Sequence, residues 1–298
     1  MRLILFALLA SCLSLGLQAE TFFENQLKRA KAGDAKAQWG VGVMYINGTK
    51  GAPKNLKMAV YWIGQSARGG DKVAQAAVGE MYQFGIFGTP KNLKMAAYWY
   101  WQSAKQGDAG AQFNLGVMYD YGQGVAKNYK AAAYWYRKAA EQGHTDAQYN
   151  LGNSYFNGEG VTQDAKEAVK WYRLAAEQGV ASAQFNLGGM YARGEGVPQD
   201  YKEAVKWYTK AAQQGHAGAQ YNLGSMYANG EGVIEDYVAG YAWTIVAKAN
   251  GADAEHNLRL FKQRMTPQQI ALAQALAKKI FQKIENKDSE NPINVRYD

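Results

Sequence analysis

The side chains of this chain best suited to nucleophilic or metal chemistry are three histidines, His144, His216 and His256, and a single cysteine, Cys12. Metal ligands must converge on one point. His144 and His216 instead each follow a glycine, Gly143 and Gly215, as residues at a helix boundary do. Ser-x-x-Lys, Lys-Thr-Gly, Gly-x-Ser-x-Gly and His-Glu-x-x-His do not occur. An activated serine or a zinc-bound water therefore has no counterpart in the sequence. Gly-x-Gly recurs, but without the Lys-Ser/Thr that a phosphate-binding loop requires. The expectation is no catalytic residue, no metal and no cofactor, and recognition rather than turnover.

Recognition would have to be carried by a scaffold, and the scaffold is written as a repeat. Ala-Gln-x-x-Leu-Gly-x-Met-Tyr, as at 111–119, returns in the same phase from Ala37, Ala74, Ala111, Ala147, Ala183 and Ala219, at spacings of 37, 37, 36, 36 and 36 residues. A period of this size marks a stacked helical array. In the unit from Asp146 to Gly179, Ala147, Leu151, Ser154 and Tyr155 fall on one helical face. Gly158-Glu159-Gly160-Val161 stops that helix. A second helix starts at Asp164, where Asp164-x-x-Glu167 has the form of a capping box, repeated at Asp200-x-x-Glu203. Asn55, Asn92, Asn128 and Asp236 are the equivalent caps. Ala168, Trp171, Tyr172, Ala175 and Ala176 supply its apolar stripe, and the short connection makes the two helices antiparallel. Trp99, Trp135, Trp171 and Trp207 hold one phase and are read as core. A mid-helix glycine costs about 1 kcal/mol against alanine, so its return at 42, 79, 116, 152, 188 and 224 implies close approach of a neighbouring helix.

The Ala-Gln-x-x-Leu-Gly-x-Met-Tyr, Gly-x-Gly-Val and Lys-x-Trp-Tyr-x-x-Ala-Ala-x-Gln-Gly elements resemble the Sel1-like repeats, relatives of the tetratricopeptide repeats, over roughly residues 34–265. The resemblance implies an all-α, right-handed α-solenoid of about six antiparallel helix-turn-helix repeats with helical caps, binding partners along its concave face. Some members of that family carry β-lactam-binding or hydrolysing labels, which makes a β-lactam- or peptidoglycan-directed enzyme the alternative to a non-catalytic scaffold. A secreted factor that binds a host protein is a further alternative. Repeats 1 and 2 depart from the pattern: Gly48–Pro53 and Gly85–Pro90 replace the Gly-x-Gly-Val loop.

Opposite the core line of each first helix lie motif positions 3, 7 and 10. Positions 7 and 10 in repeats 2 to 4 are Glu80 and Gln83, Val117 and Asp120, and Asn153 and Phe156, whose chemistry varies from unit to unit. These six are the candidate partner-reading residues of the concave groove. The Asn114, Asn150, Asn186 and Asn222 series does not vary, which points to structural hydrogen bonding.

Charge is uneven along the chain. Residues 20–107 hold 12 Lys/Arg against 5 Asp/Glu, whereas residues 108–298 hold 20 of each. Lys54, Lys57, Lys91 and Lys94 lie in this basic end, which would suit an anionic surface beside a protein or peptide partner of the cell envelope. Nothing points to nucleic acid. Residues 1–19 read as a cleavable signal peptide ending Leu17-Gln18-Ala19, so a periplasmic or secreted mature chain without a transmembrane segment is expected. Leu9-Ala10-Ser11-Cys12 also resembles a lipoprotein box. The remaining divisions are a capping helix in 20–33, repeats over 34–251, capping helices in 252–285 and a flexible tail over 286–298. Thr266-Pro267 starts the last cap, with Ile270, Ala273, Leu276, Ala277, Ile280 and Ile284 on one side.

Overall fold

Short polar side chains start the helices and glycine ends the first helix of most hairpins. Asp34, Asp71 and Asp108 accept from the backbone N–H of Ala37, Ala74 and Ala111 at 2.8–3.0 Å, and the His216 Nδ1 takes the same place for Ala219. Asn55, Asn92, Asn128, Asp164, Asp200 and Asp236 cap the second helices. The computed structural model describes residues 22–290, which contain helices and no strand. None of those helices is long and apolar enough to cross a membrane. The signal-peptide reading of 1–19 and the end of the expected tail, 291–298, lie outside the described residues.

One expected detail is only half made. Asp164 accepts from the N–H of Lys166 and Glu167, but its own N–H donates to the Tyr155 carbonyl. Glu167 therefore does not reach back; its carboxylate takes the Trp171 indole N–H at 3.1 Å and Lys170 at 3.3 Å. The reciprocal box forms instead at Thr266, whose hydroxyl accepts from Gln269 N–H while Gln269 Oε1 accepts from Thr266 N–H.

The helices group into two compact units, divided between His144 and Thr145. The first holds α1 (22–31), α2 (Ala35–Asn47), α3 (Leu56–Arg68), α4 (Lys72–Phe84), α5 (Leu93–Lys105), α6 (Ala109–Tyr121) and α7 (Tyr129–Ala140). Here α2–α3, α4–α5 and α6–α7 are hairpins, stacked through α3 on α4 and α5 on α6. Phe23, Leu27 and Ala30 of α1 pack on Ala37, Val41 and Tyr45 of the first repeat. The second unit holds α8 (Thr145–Asn157), α9 (Ala165–Glu177), α10 (Ala181–Arg193), α11 (Tyr201–Ala212), α12 (Ala217–Asn229), α13 (Tyr237–Ala249), α14 (Glu255–Arg264) and α15 (Pro267–Glu290). Its last hairpin, α12–α13, is covered by α14 and α15. Ile270, Ala273, Leu276, Ala277, Ile280 and Ile284 face Tyr241 and Val246 there. Helix α15 runs on past residue 285 to Glu290.

Inside the hairpins of repeats 2 to 5 a ring, rather than a helix backbone, explains the mid-helix glycine. A Cβ built on Gly79, Gly116, Gly152 or Gly188 would stand 2.6–2.9 Å from Cδ1 of Tyr100, Tyr136, Tyr172 or Tyr208. These tyrosines are at most 3% exposed, so the rings have nowhere to go. At Gly42 the neighbour is the Ile63 side chain, 2.6 Å away, with the Ala59 carbonyl at 3.3 Å, and at Gly224 it is the Thr244 hydroxyl at 2.6 Å with the Gly240 carbonyl at 2.9 Å.

Between hairpins an apolar seam, as of Ile63 and Ala67 with Ala74, Val78 and Met81, is joined by a polar link. Gln75 and Gln112 in the first unit, and Gln184 and Gln220 in the second, are buried. Each donates its side-chain N–H to the carbonyl of an alanine near the end of the preceding hairpin, at 3.0 Å. Their Oε1 atoms accept from Gln106, Gln142, Gln214 and Asn250 at 2.7–2.9 Å. Gln38 makes the first bond, to Ala30, but its buried Oε1 has no partner, because Gly69 stands where later repeats carry the amide donor. The Gly-x-Gly loops add a second link. A Cβ on Gly124 would meet the Leu93 carbonyl oxygen at 2.2 Å, and one on Gly196 the Ala165 oxygen at 2.3 Å.

Two substitutions to alanine should therefore have opposite signs. Gly40→Ala, in α2 with nothing within 4 Å of the new Cβ, should stabilise by up to about 1 kcal/mol through helix propensity. Gly152→Ala should destabilise by about 1–3 kcal/mol through overpacking. Urea midpoints at unchanged slope decide this, and equal shifts would remove the ring from the explanation. By the same measurement Gly69→Gln should exceed Gly69→Ala by about 1 kcal/mol, because both place a Cβ 3.1 Å from that of Ala35 but only glutamine gives Gln38 Oε1 its missing donor; equal midpoints for the two would contradict the amide account.

Candidate functional site

The candidate residues fall in both units: Glu80 and Gln83 on α4 and Val117 and Asp120 on α6 in the first, Asn153 and Phe156 on α8 in the second. Three of the six are engaged by the hairpin's own tyrosine. Tyr100 donates its hydroxyl to Gln83 Oε1 at 2.6 Å, Tyr136 to Asp120 Oδ2 at 3.0 Å and Tyr172 to Asn153 Oδ1 at 2.7 Å. The oxygen comes from position 10 in repeats 2 and 3 and from position 7 in repeat 4. In repeat 5 both positions are apolar, Gly189 and Ala192. Variation along this line thus has a structural component that the sequence pattern does not separate from recognition.

The unvarying asparagines face the same hydroxyls. Asn114, Asn186 and Asn222 favour the ionised forms of Tyr100, Tyr172 and Tyr208 of the preceding hairpin, against the larger upward push of burial. All three tyrosines end with their pKa raised, so they stay protonated donors. The side chains left over are Glu80, exposed, and Val117 and Phe156, each half-buried. Phe156 also packs against the core around Val169 and Tyr172.

Lys54, Lys57, Lys91 and Lys94 are exposed, and no ion pair engages them among the described residues. Lys54 and Lys91 follow the loops of repeats 1 and 2, which turn through left-handed Lys50 and Phe87 (φ 54° and 55°) where later repeats use glycine. His144 and His216 stack on Phe113 and Phe185 with centroids 4.6 Å apart. Burial lowers the pKa of His216. No group of His, Cys, Asp and Glu among the described residues is arranged to hold a metal.

Two features went unseen in the sequence. The first is a cleft of about 280 Å³ in the second unit, lined by Ser225, Ala228, Tyr237, Asn257, Phe261 and Arg264. Ser225 and Ala228 are positions 7 and 10 of repeat 6, so the same line reappears beyond repeats 2 to 4, where α14 closes over it. The second is exposed aromatic surface on α3, α5 and α7, helices read from their apolar stripe as core.

Glu80 carries a pH signature. Its carboxyl pKa is raised above the ordinary 4.5, first by loss of hydration and then by repulsion from Asp108. Although the residue reaches solvent, atoms packed around it strip part of its hydration shell. A raised folded-state pKa means that stability present below the unfolded value is lost as pH rises through the folded one. Glu80→Gln should match the parent at pH below about 4.5 and exceed it in urea midpoint at pH 7. An advantage at low pH that vanishes on neutralisation would refute the desolvation account.

The Sel1 repeat model matches residues 35–71, 72–108, 109–144, 145–180, 181–216 and 217–251. The chain is 30% identical to c5321, a protective antigen present in uropathogenic Escherichia coli strains displaying an SLR fold. That likeness covers 96% of this chain and 71% of the other, with a TM-score of 0.62. It is 36% identical to a Sel1 repeat protein from Oxalobacter formigenes, covering 79% of this chain and 68% of that one, with a TM-score of 0.63. Nothing among the curated proteins matches. With six helical hairpins in register and the repeat model covering most of its length, the chain belongs to the Sel1 repeat family.

Proposed function

We propose that this protein is a non-catalytic scaffold of the bacterial cell envelope that holds a protein or peptide along the first helices of its repeats. Arrays of this kind typically serve as protein-interaction scaffolds, because stacking spreads the same small unit over a long exposed surface. The observation that carries the reading is the division of labour on those helices. Alanine, glutamine, leucine and methionine are buried in the stack, while Glu80 and Val117 at position 7, and Phe156 at position 10, are left with solvent-facing area. An envelope location is supported by the leader-like residues 1–19 and by the description of one relative as a protective antigen.

The geometry changes which residues make a fair test. Gln83→Ala, Asp120→Ala and Asn153→Ala each remove a tyrosine hydrogen bond, at a cost of about 1 kcal/mol of stability, so weaker binding by them would be ambiguous. Glu80→Ala and Phe156→Leu leave those bonds in place. After affinity capture of a partner from envelope extract, this pair should lower its affinity at least tenfold with helicity and melting retained, since aromatic anchors contribute about 2 kcal/mol or more. Undiminished binding would move the site elsewhere. Steady turnover of a chromogenic β-lactam, abolished by one point substitution, would replace the scaffold reading with a hydrolase.

A further inference from the structure

The second helices of the first unit carry a repeated exposed tyrosine. Tyr61, Tyr98 and Tyr134 occupy one repeat phase on α3, α5 and α7 and are 51%, 48% and 53% exposed. Each stands edge-on to the tryptophan that follows it, Trp62, Trp99 or Trp135, with centroids 5.0–5.2 Å apart, so the rings are held in place rather than loose. One turn before each tyrosine lies an exposed lysine, Lys57, Lys94 or Lys130. The sequences of α3, α5 and α7 contain lysine and arginine but no aspartate or glutamate. Trp101, 40% exposed, lies beside the row with the Lys105 ammonium 3.3 Å from its ring centroid.

The second unit provides an internal control. The tyrosine phase there is occupied in repeats 4 and 5 by Lys170 and Lys206, which pair with Glu167 and Glu203 at 3.3 and 3.0 Å, and in repeat 6 by buried Ala242. A Sel1 hairpin therefore folds with an ion-paired lysine at this position, and stacking does not require the tyrosine row.

We propose that this face of α3, α5 and α7 docks on the surface of an anionic phospholipid bilayer. Tyrosine and tryptophan are amphipathic and settle at headgroup depth, with the ring body toward the acyl boundary and the polar tip in water. Lysine stems lie along apolar surface and deliver their ammonium groups to lipid phosphates, and on these three helices no carboxylate opposes them. This binding uses a different face from the protein-binding reading and does not depend on it. A scaffold seated in this way would hold its partner close to the membrane.

The test is co-sedimentation of the protein, purified as the cell processes it, with vesicles of phosphatidylcholine alone or mixed with phosphatidylglycerol. Binding is expected only to the anionic vesicles and should fade with salt. Each lysine near such a surface contributes about fivefold in affinity, so Lys57→Gln, Lys94→Gln and Lys130→Gln together should weaken binding about 100-fold. Tyr61→Ser, Tyr98→Ser and Tyr134→Ser together should weaken it as well, and that loss should persist at a salt concentration where the lysine contribution is screened. Circular dichroism confirms that both variants remain folded. The control pair Lys170→Gln and Lys206→Gln should bind as the parent does. The proposal is overturned if lipid charge makes no difference, if the control loses as much as the lysine variant, or if the protein binds dextran sulfate but not the anionic vesicles. The last result would assign the face to an acidic polysaccharide.

Discussion

A tyrosine ring packed into the space that a glycine leaves by lacking a Cβ is the contact from which most of this structure follows. It lets the two helices of a hairpin close on each other with an aromatic side chain between them, and it forbids a Cβ at the glycine. Burying the ring supplies apolar area, but it also buries a hydroxyl that must find an acceptor. That need reaches outward in two directions. One acceptor is taken from position 7 or 10 of the same hairpin, and the asparagine of the next lies near enough to act on the phenol's ionisation, as Asn114 does for Tyr100 and Asn186 for Tyr172. A single buried phenol thus ties hairpin closure, stacking and the composition of the candidate surface together.

The second organising element is the buried glutamine. Its N–H caps the last turn of the hairpin before it and its Oε1 receives the amide that ends its own hairpin. A polar group in that position costs more than an apolar one unless both ends are satisfied. Repetition supplies the satisfaction, since every interior repeat offers the same carbonyl and the same amide. Where repetition stops, so does the satisfaction. Gln38 keeps its donor bond to α1 but its oxygen faces no amide, and Trp62 likewise lacks the acceptor that Glu167 provides for Trp171.

The two faces of the hairpins are under different constraints. On the first helices, residues that look free to vary are partly recruited to the tyrosines, so their chemistry is a compromise between internal bonding and whatever they touch outside. On the second helices, the tyrosine row of the first unit makes edge contacts with tryptophan, and Tyr134 also lies under the Lys138 ammonium. The corresponding positions of repeats 4 and 5 carry lysines paired with glutamate, so the hairpin does not demand tyrosine there.

Most of the architecture was legible in the residues. Periodicity gives the helical hairpin because an apolar stripe at 3.6-residue spacing has only a few ways to be buried. Asn55, Asn92, Asn128, Asp164, Asp200 and Asp236 mark helix starts because their side chains are short enough to bond the first turn. The stack follows because one hairpin cannot bury its own faces. The tertiary structure decided what lies across from each position. The helical glycines register as an anomaly in sequence, but only packing identifies a ring as the neighbour. Glu167 has the spacing of a capping box, yet a nearer indole N–H competes for its carboxylate. Gln83, Asp120 and Asn153 look like a reading surface, but the phenols that engage them lie 16 to 19 residues further along the chain. Sequence reports what each residue can offer; which partner takes the offer depends on contacts made across the hairpin and between hairpins, and those exist only in the folded stack.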